Sequence, residues 1–493
     1  MLPFIKENPL KKILLAHSYF LRFDPKMWET MQPYTPLGTL YATSYLQKNN
    51  FEVALFDSML ADSTEDFKPI FEKFKPDVVV FFEDNFNYLS KMCLTRMREA
   101  CLEMAKFVKE NSSAKVIACG SDASDRKGIY LNGGIDYLLI GEGEQTLLEL
   151  LQELEKEEMN LSSVKGLAYL ENENLTTTPP REFIKKLDEL PFPAWDLVDV
   201  KKYKNEWLTN HNYFSMNLVT TRGCPFKCNW CAKPIYGNRY NNRSPKNVAE
   251  EMAFLKKNFQ PNHIWFADDI FGIQLGWMVE FGEEVEKLNA QIPFKIQSRV
   301  DLLQDANVKA LKKAGCQTVW VGAESGSQKI LDAMDKGTQV EQIYEANETL
   351  KKYEIEVCFF IQFGYLGETY EDIEKTFKMI RECKPDQIGI SVSYPLPGTK
   401  FYEMVKEQLG EKQNWEHSQD LEMMFSGTYS TEFYRVLYDV VHSDFRMRKY
   451  LEEVKGKPFS KETPIKMAKA VFNGVNLLKN KSKLTKLKEE IPS

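Results

Sequence analysis

Short hydrophobic runs alternate with longer stretches of helical pattern through the first third of the chain. KILLAHS (12–18), EVALFD (52–57), DVVVFF (77–82), KVIAC (115–119) and the apolar start of IDYLLIGEGE (135–144) predict strands. Between them GTLYATSYLQKNN, the stretch 89–110 and QTLLELLQELEKEE predict helices. Strand, helix, strand repetition is the pattern of a parallel, doubly wound α/β sheet. Residues 159–215 break it: Pro179, Pro180, Pro191 and Pro193 disfavour a long helix, which predicts a small β-rich connector. The alternation returns over 216–405, with strand candidates at 216–220, 263–267, 294–297, 318–322, 357–363 and 387–392. Six strands alternating with helices suit a partial (β/α) barrel. Residues 406–493 read as helical and become basic after Phe445.

Length supports this division, because 493 residues exceed the roughly 250–300 at which one core stops growing. With 43% hydrophobic and 27% charged residues the chain has the composition of a globular protein. A net charge of −7 offers no overall attraction to nucleic acid, so no such partner is expected. No run approaches the length of a membrane span, and the first residues lack a signal-peptide pattern, which points to a cytoplasmic protein. The nine cysteines are too few for a disulfide scaffold. Six of them, Cys93, Cys101, Cys119, Cys316, Cys358 and Cys383, lie in apolar or helical surroundings and are read as buried thiols.

The other three stand in LVTTRGCPFKCNWC (218–231), where Cys224, Cys228 and Cys231 follow a strand with the spacing Cys-x3-Cys-x2-Cys. Thiolates bind iron-sulfur clusters, and three ligands for four irons leave one iron open. A zinc site would need a fourth Cys or His close by, and the sequence offers none. The spacing, with Arg222 and Gly223 before it and Trp230 beside the last cysteine, resembles the radical S-adenosylmethionine superfamily. That resemblance implies a [4Fe-4S] cluster whose open iron chelates S-adenosylmethionine and whose electron cleaves it to a 5'-deoxyadenosyl radical. It also implies a cellular electron donor such as flavodoxin or ferredoxin. Asp268 and Asp269 in WFADDIFG, Arg299 in QSRVDLL and Glu324 in VWVGAESGSQ occupy stretches that resemble the family's cofactor-binding segments, as does Trp230. FFIQFGYLGET (359–369) and SYPLPGTKFYE (393–403) complete the likeness.

The first 158 residues resemble the cobalamin-binding domain that precedes the barrel in one large class of these enzymes. Leu37-Gly38, Gly120-Ser121 and Gly141-Glu142 carry that resemblance and are its cobalamin-contact candidates. The Asp-x-His-x-x-Gly motif that supplies an imidazole to cobalt elsewhere is absent, and GSDAS departs from the usual glycine-rich loop. His17 ends the first strand; a histidine there is more often a hydrogen-bonded structural residue than a ligand. The resemblance implies a cobalamin-dependent methyltransferase. Alternatives are a radical oxidative cyclisation, as in the anaerobic magnesium-protoporphyrin cyclase, a barrel whose N-terminal domain no longer binds cobalamin, or a redox-sensing iron-sulfur protein. The substrate, whether small molecule, peptide or lipid, is not legible.

Overall fold

The computed structural model describes residues 12–86, 94–233, 235–410 and 421–489. Cys93 therefore lies outside the described residues. The chain divides into two compact units, the first Met1–Pro225 with Lys233–Phe271 and Glu283–Phe294, the second Phe226–Ala232, Gly272–Gly282 and Lys295–Ser493.

The first unit is built on a seven-stranded sheet. Its strands are β1 (Lys12–Ala16), β2 (Glu52–Phe56), β3 (Val78–Phe82), β4 (Lys115–Cys119), β5 (Tyr137–Leu139), β6 (Leu167–Glu171) and β7 (Asn174–Thr177), in the spatial order 2-1-3-4-5-6-7. The first five run parallel. Every residue of β3 is buried, as a central parallel strand covered on both faces requires. Successive side chains feed opposite layers: Leu14, Val79 and Phe81 join Phe67 and Met104, while Ile13, Leu15, Val80 and Phe82 join Leu46, Leu147 and Leu150. Burying each such aliphatic or aromatic side chain is worth about 1.5–3 kcal/mol.

The connector does form strands, but they extend this sheet. β6 pairs antiparallel with β5 and with β7. The tight turn joining β6 to β7 places both Asn172 and Glu173 at positive φ, the conformation that twists a hairpin correctly. Beyond the last of the four prolines a helix does form, Val200–His211, burying Tyr203 and Trp207 four residues apart.

The remaining strands alternate with helices. In the first unit β8 (Ser215–Leu218) pairs parallel with β11 (His263–Phe266), and the short β9 (Thr221–Arg222) pairs antiparallel with β10 (Asn241–Asn242). β12 (Phe294–Ser298) starts where the first unit ends. In the second unit β13 (Cys316–Glu324), β14 (Glu356–Phe363) and β15 (Gln387–Val392) run parallel. Two long helices, Thr431–Gly456 and Thr463–Glu489, pack together in that unit. No helix among the described residues is long and apolar enough to cross a membrane.

Candidate active site

The path to the first cysteine is fixed by one buried carboxylate. Asp268, two residues beyond β11 and 2% exposed, accepts from Thr220 N (2.7 Å), Thr220 Oγ1 (2.9 Å), Thr221 N (2.8 Å) and Thr221 Oγ1 (3.0 Å). Burial pushes its pKa up to about 6 against the pull of those donors. Asp268 thus clamps the chain between β8 and Cys224, whereas its neighbour Asp269 is exposed.

Arg222 follows, buried between Glu142 (3.2 Å) and Glu144 (2.5 Å) at the start of the helix Gly143–Glu153. Its guanidinium also lies 5.5–5.8 Å from the ring centroids of Tyr41, Phe86 and Tyr236. Glu142 further accepts from Ile184 N at 2.6 Å. Gly223 then turns at φ +80°, where a Cβ would stand 2.4 Å from the Arg239 carbonyl oxygen, so only glycine fits.

In the second unit Cys228 and Cys231 flank Asn229, a residue the sequence reading missed. Asn229 N donates to Met334 O (3.0 Å), its amide nitrogen to Ala333 O (2.7 Å), and its amide oxygen accepts from Tyr365 Oη (2.8 Å). Phe401 N donates to its carbonyl at 2.9 Å. The cysteine spacing frames Asn229, but its partners lie more than a hundred residues away along the chain, out of reach of any local pattern. Arg299 stacks 3.6 Å from the Phe226 ring centroid, donates to Lys336 O at 2.9 Å and pairs with Asp301. Glu324 ends β13 at φ +56°, beside a register shift against β14, and pairs with buried Lys336 at 2.7 Å. A strained non-glycine residue at a strand end is a frequent mark of a working site. Cys228 also lies close enough to Lys336 to favour its charged form. Trp230 is half-buried, and its indole nitrogen has no hydrogen-bond partner among the described residues.

The chemistry of the donors fits a cluster. Cys224, Cys228 and Cys231 are partly exposed, whereas Cys101, Cys119, Cys316, Cys358 and Cys383 are buried and their thiols are pushed up by desolvation. Among the described residues no group of three His, Cys, Asp or Glu side chains could hold a metal ion.

A crevice opens at the carboxyl ends of β1, β3 and β4, lined by Ser18, Glu83, Asn85, Gly120, Ser121 and Tyr130 among others. In a sheet ordered 2-1-3-4-5 this is the topological switch point where ligands bind. Its lining combines Gly120 and the hydroxyls of Ser18 and Ser121 with the carboxylates of Glu83 and Asp122. Gly120 and Ser121 are among its lining residues. Leu37 is buried, and Gly38 begins the helix Leu37–Lys48, where a Cβ would stand 3.1 Å from Glu83 O. Gly141 turns at φ +83° with open space on its Cβ side. Two acids stand at the end of β3, Asp84 buried and Glu83 half-buried. Glu83 accepts from Ser18 N (3.1 Å) and Oγ (2.6 Å), and Asp84 from Gly38 N (3.1 Å) and Phe86 N (3.2 Å). Burial raises both, Asp84 to about 6. His17 is buried, its Nε2 2.9 Å from Asp57 Oδ1, while Tyr203 Oη donates to Asp57 at 2.7 Å.

The sequence profile of the Radical SAM superfamily matches residues 218–380. Uncharacterized methyltransferase PH0819 of Pyrococcus horikoshii is 30% identical over 386 residues, 77% of this chain and 80% of that protein. The anaerobic magnesium-protoporphyrin IX monomethyl ester cyclase of Rubrivivax gelatinosus is 29% identical over 395 residues, 76% of this chain and 66% of that one. Among solved structures, the cobalamin-dependent S-adenosylmethionine radical enzyme OxsB with aqua-cobalamin bound superposes with a TM-score of 0.72 at 18% identity, covering 96% of this chain and 72% of that chain. The methyltransferase TsrM from Kitasatospora setae, with tryptophan and a S-adenosylmethionine analogue bound, gives 0.67 at 18% identity over 83% of this chain and 80% of that chain. This chain is a member of the radical S-adenosylmethionine family that carries an N-terminal domain of the cobalamin-binding type.

Proposed function

We propose that the chain is a cobalamin-dependent radical S-adenosylmethionine methyltransferase acting on an unactivated centre. The observation that supports this most is the pairing, in one chain, of three accessible cysteines in the radical segment with a crevice at the switch point of the N-terminal sheet. When bound, a [4Fe-4S] cluster supplies the electron that cleaves S-adenosylmethionine, and cobalamin carries the methyl group. Cys224, Cys228 and Cys231 are the cluster ligands in this reading. Asp268 is a positioning residue, holding Thr220 and Thr221 ahead of Cys224. Arg299, Glu324, Asp269 and Trp230 are the S-adenosylmethionine contacts. Gly120 and Ser121 let cobalamin approach the sheet, Leu37, Gly38 and Gly141 shape the adjoining loops, and Glu142 acts by holding Arg222. The hydrogen bonds of His17 to Asp57 and Ser58 favour a structural role over cobalt ligation. The protein draws its electrons from a cellular donor such as flavodoxin or ferredoxin, in the cytoplasm.

Anaerobic reconstitution with iron, sulfide and hydroxocobalamin, followed by dithionite and S-adenosylmethionine, tests this. The expected result is 5'-deoxyadenosine together with tightly retained cobalamin. Deoxyadenosine without cobalamin removes the cobalamin half. The likeness to the Rubrivivax gelatinosus cyclase favours one second reading, oxidative cyclisation, which an oxidised, unmethylated product would select.

A further inference from the structure

The helix Thr463–Glu489 is apolar on two sides, and only one is covered. Ala470, Asn473, Leu477 and Leu484 fall on one stripe and are buried. On the opposite side Ile465, Val471, Phe472, Val475 and Leu478 are 60–73% exposed, and Phe459, in the turn before the helix, is fully exposed. An apolar row of this length rarely stands in water without a partner.

The same outward face changes character past Leu478. At 100° per residue Lys479, Lys483 and Lys486 continue the line of Ile465 and Phe472, whereas Lys481 and Lys488 fall on the side of the buried stripe. The helix carries seven lysines against one glutamate, in a chain whose net charge is −7. Lys483 pairs with Glu432, and Lys488 lies 3.9 Å from the Tyr370 ring centroid. Lys479, Lys481 and Lys486 are exposed and form no ion pair among the described residues.

Charge complementarity selects the occupant. The cores of protein interfaces are depleted in lysine, whereas lysines beside an apolar row suit a lipid surface: the apolar side chains enter the boundary of the acyl chains while the long lysine stems lift their ammonium groups to the phosphates. We propose that this face docks the protein on an anionic phospholipid bilayer, the helix lying in the interface and not crossing it. The proposal stands apart from the methyl-transfer reading.

Sedimentation of the full-length protein with phosphatidylglycerol-containing and pure phosphatidylcholine vesicles is the test. The expected result is partition at least about tenfold stronger onto the anionic vesicles, weakened by salt. Phe472→Ser with Leu478→Ser, and separately Lys479→Glu with Lys486→Glu, each lower it about tenfold while circular dichroism stays unchanged. Should the serine pair disturb folding, the lysine variant and the salt dependence decide. Equal partition onto both vesicles, or none, overturns the proposal. So does a dimer in light scattering that the serine pair converts to monomer, because the face then belongs to a second copy.

Discussion

Buried acids occur in two regions of this protein and are held in different ways. Around the cysteine segment three face cations, Glu142 and Glu144 holding Arg222 and Glu324 holding Lys336, while Asp268 rests on the donors of Thr220 and Thr221. At the N-terminal crevice Asp122 faces Arg98, while the half-buried Glu83 and its buried neighbour Asp84 rest on hydroxyl and backbone N–H donors. A counter-ion offsets part of the desolvation cost, as Arg222 does for Glu142. Donors alone leave the desolvation cost uncompensated, and Asp84 is pushed up to about 6. Each region therefore combines acids held by a cation with one, Asp268 or Asp84, that burial pushes up to about 6.

The sharpest way to break this contrast is to remove a cation. Arg222→Leu leaves two carboxylates buried without their partner and should cost about 3–5 kcal/mol by anaerobic urea denaturation. Lys336→Met, with one carboxylate stranded, belongs to the same class at its lower end. A loss under about 1 kcal/mol in both would mean that the pairs do not hold this region.

The next effect is a pH dependence. The folded pKa of Asp84 lies above its ordinary value of 3.8, so its contribution is fully present below that value and is lost as pH rises through about 6. Asp84→Asn should therefore be more stable than wild type at pH 7, by about 2–3 kcal/mol at most, with the difference vanishing near pH 4. Denaturation midpoints measured across that window check the sign; a variant less stable at pH 7 would refute it.

Smaller still is Gly38→Ala, whose Cβ would crowd Glu83 O and the Asp84 Cα at 3.1 and 3.2 Å. A cost of about 1–2 kcal/mol is expected, together with weaker cobalamin retention in a spin-column assay. Smallest is Trp230→Phe. It deletes an indole N–H that has no partner among the described residues, so ligand-free stability should stay within about 1 kcal/mol of wild type. A larger fall would reveal packing, not polarity, as the role of this ring.

The sequence by itself determined the parallel sheet, because β1, β3 and β4 are continuous apolar runs that only a doubly covered sheet buries. It also determined the cysteine segment, whose chemistry lies within eight consecutive residues. It placed strands in the connector but not their destination, since a hairpin carries no mark of the edge it joins. It expected no long helix between 159 and 215, yet Val200–His211 forms beyond the last proline, where burial of Tyr203 and Trp207 decides. Only the tertiary structure showed that Asp268 clamps Thr220 and Thr221 and that Glu142 pairs with Arg222. These contacts join residues 47 to 80 positions apart, and a charge shows in the sequence while the partner that desolvates and neutralises it does not.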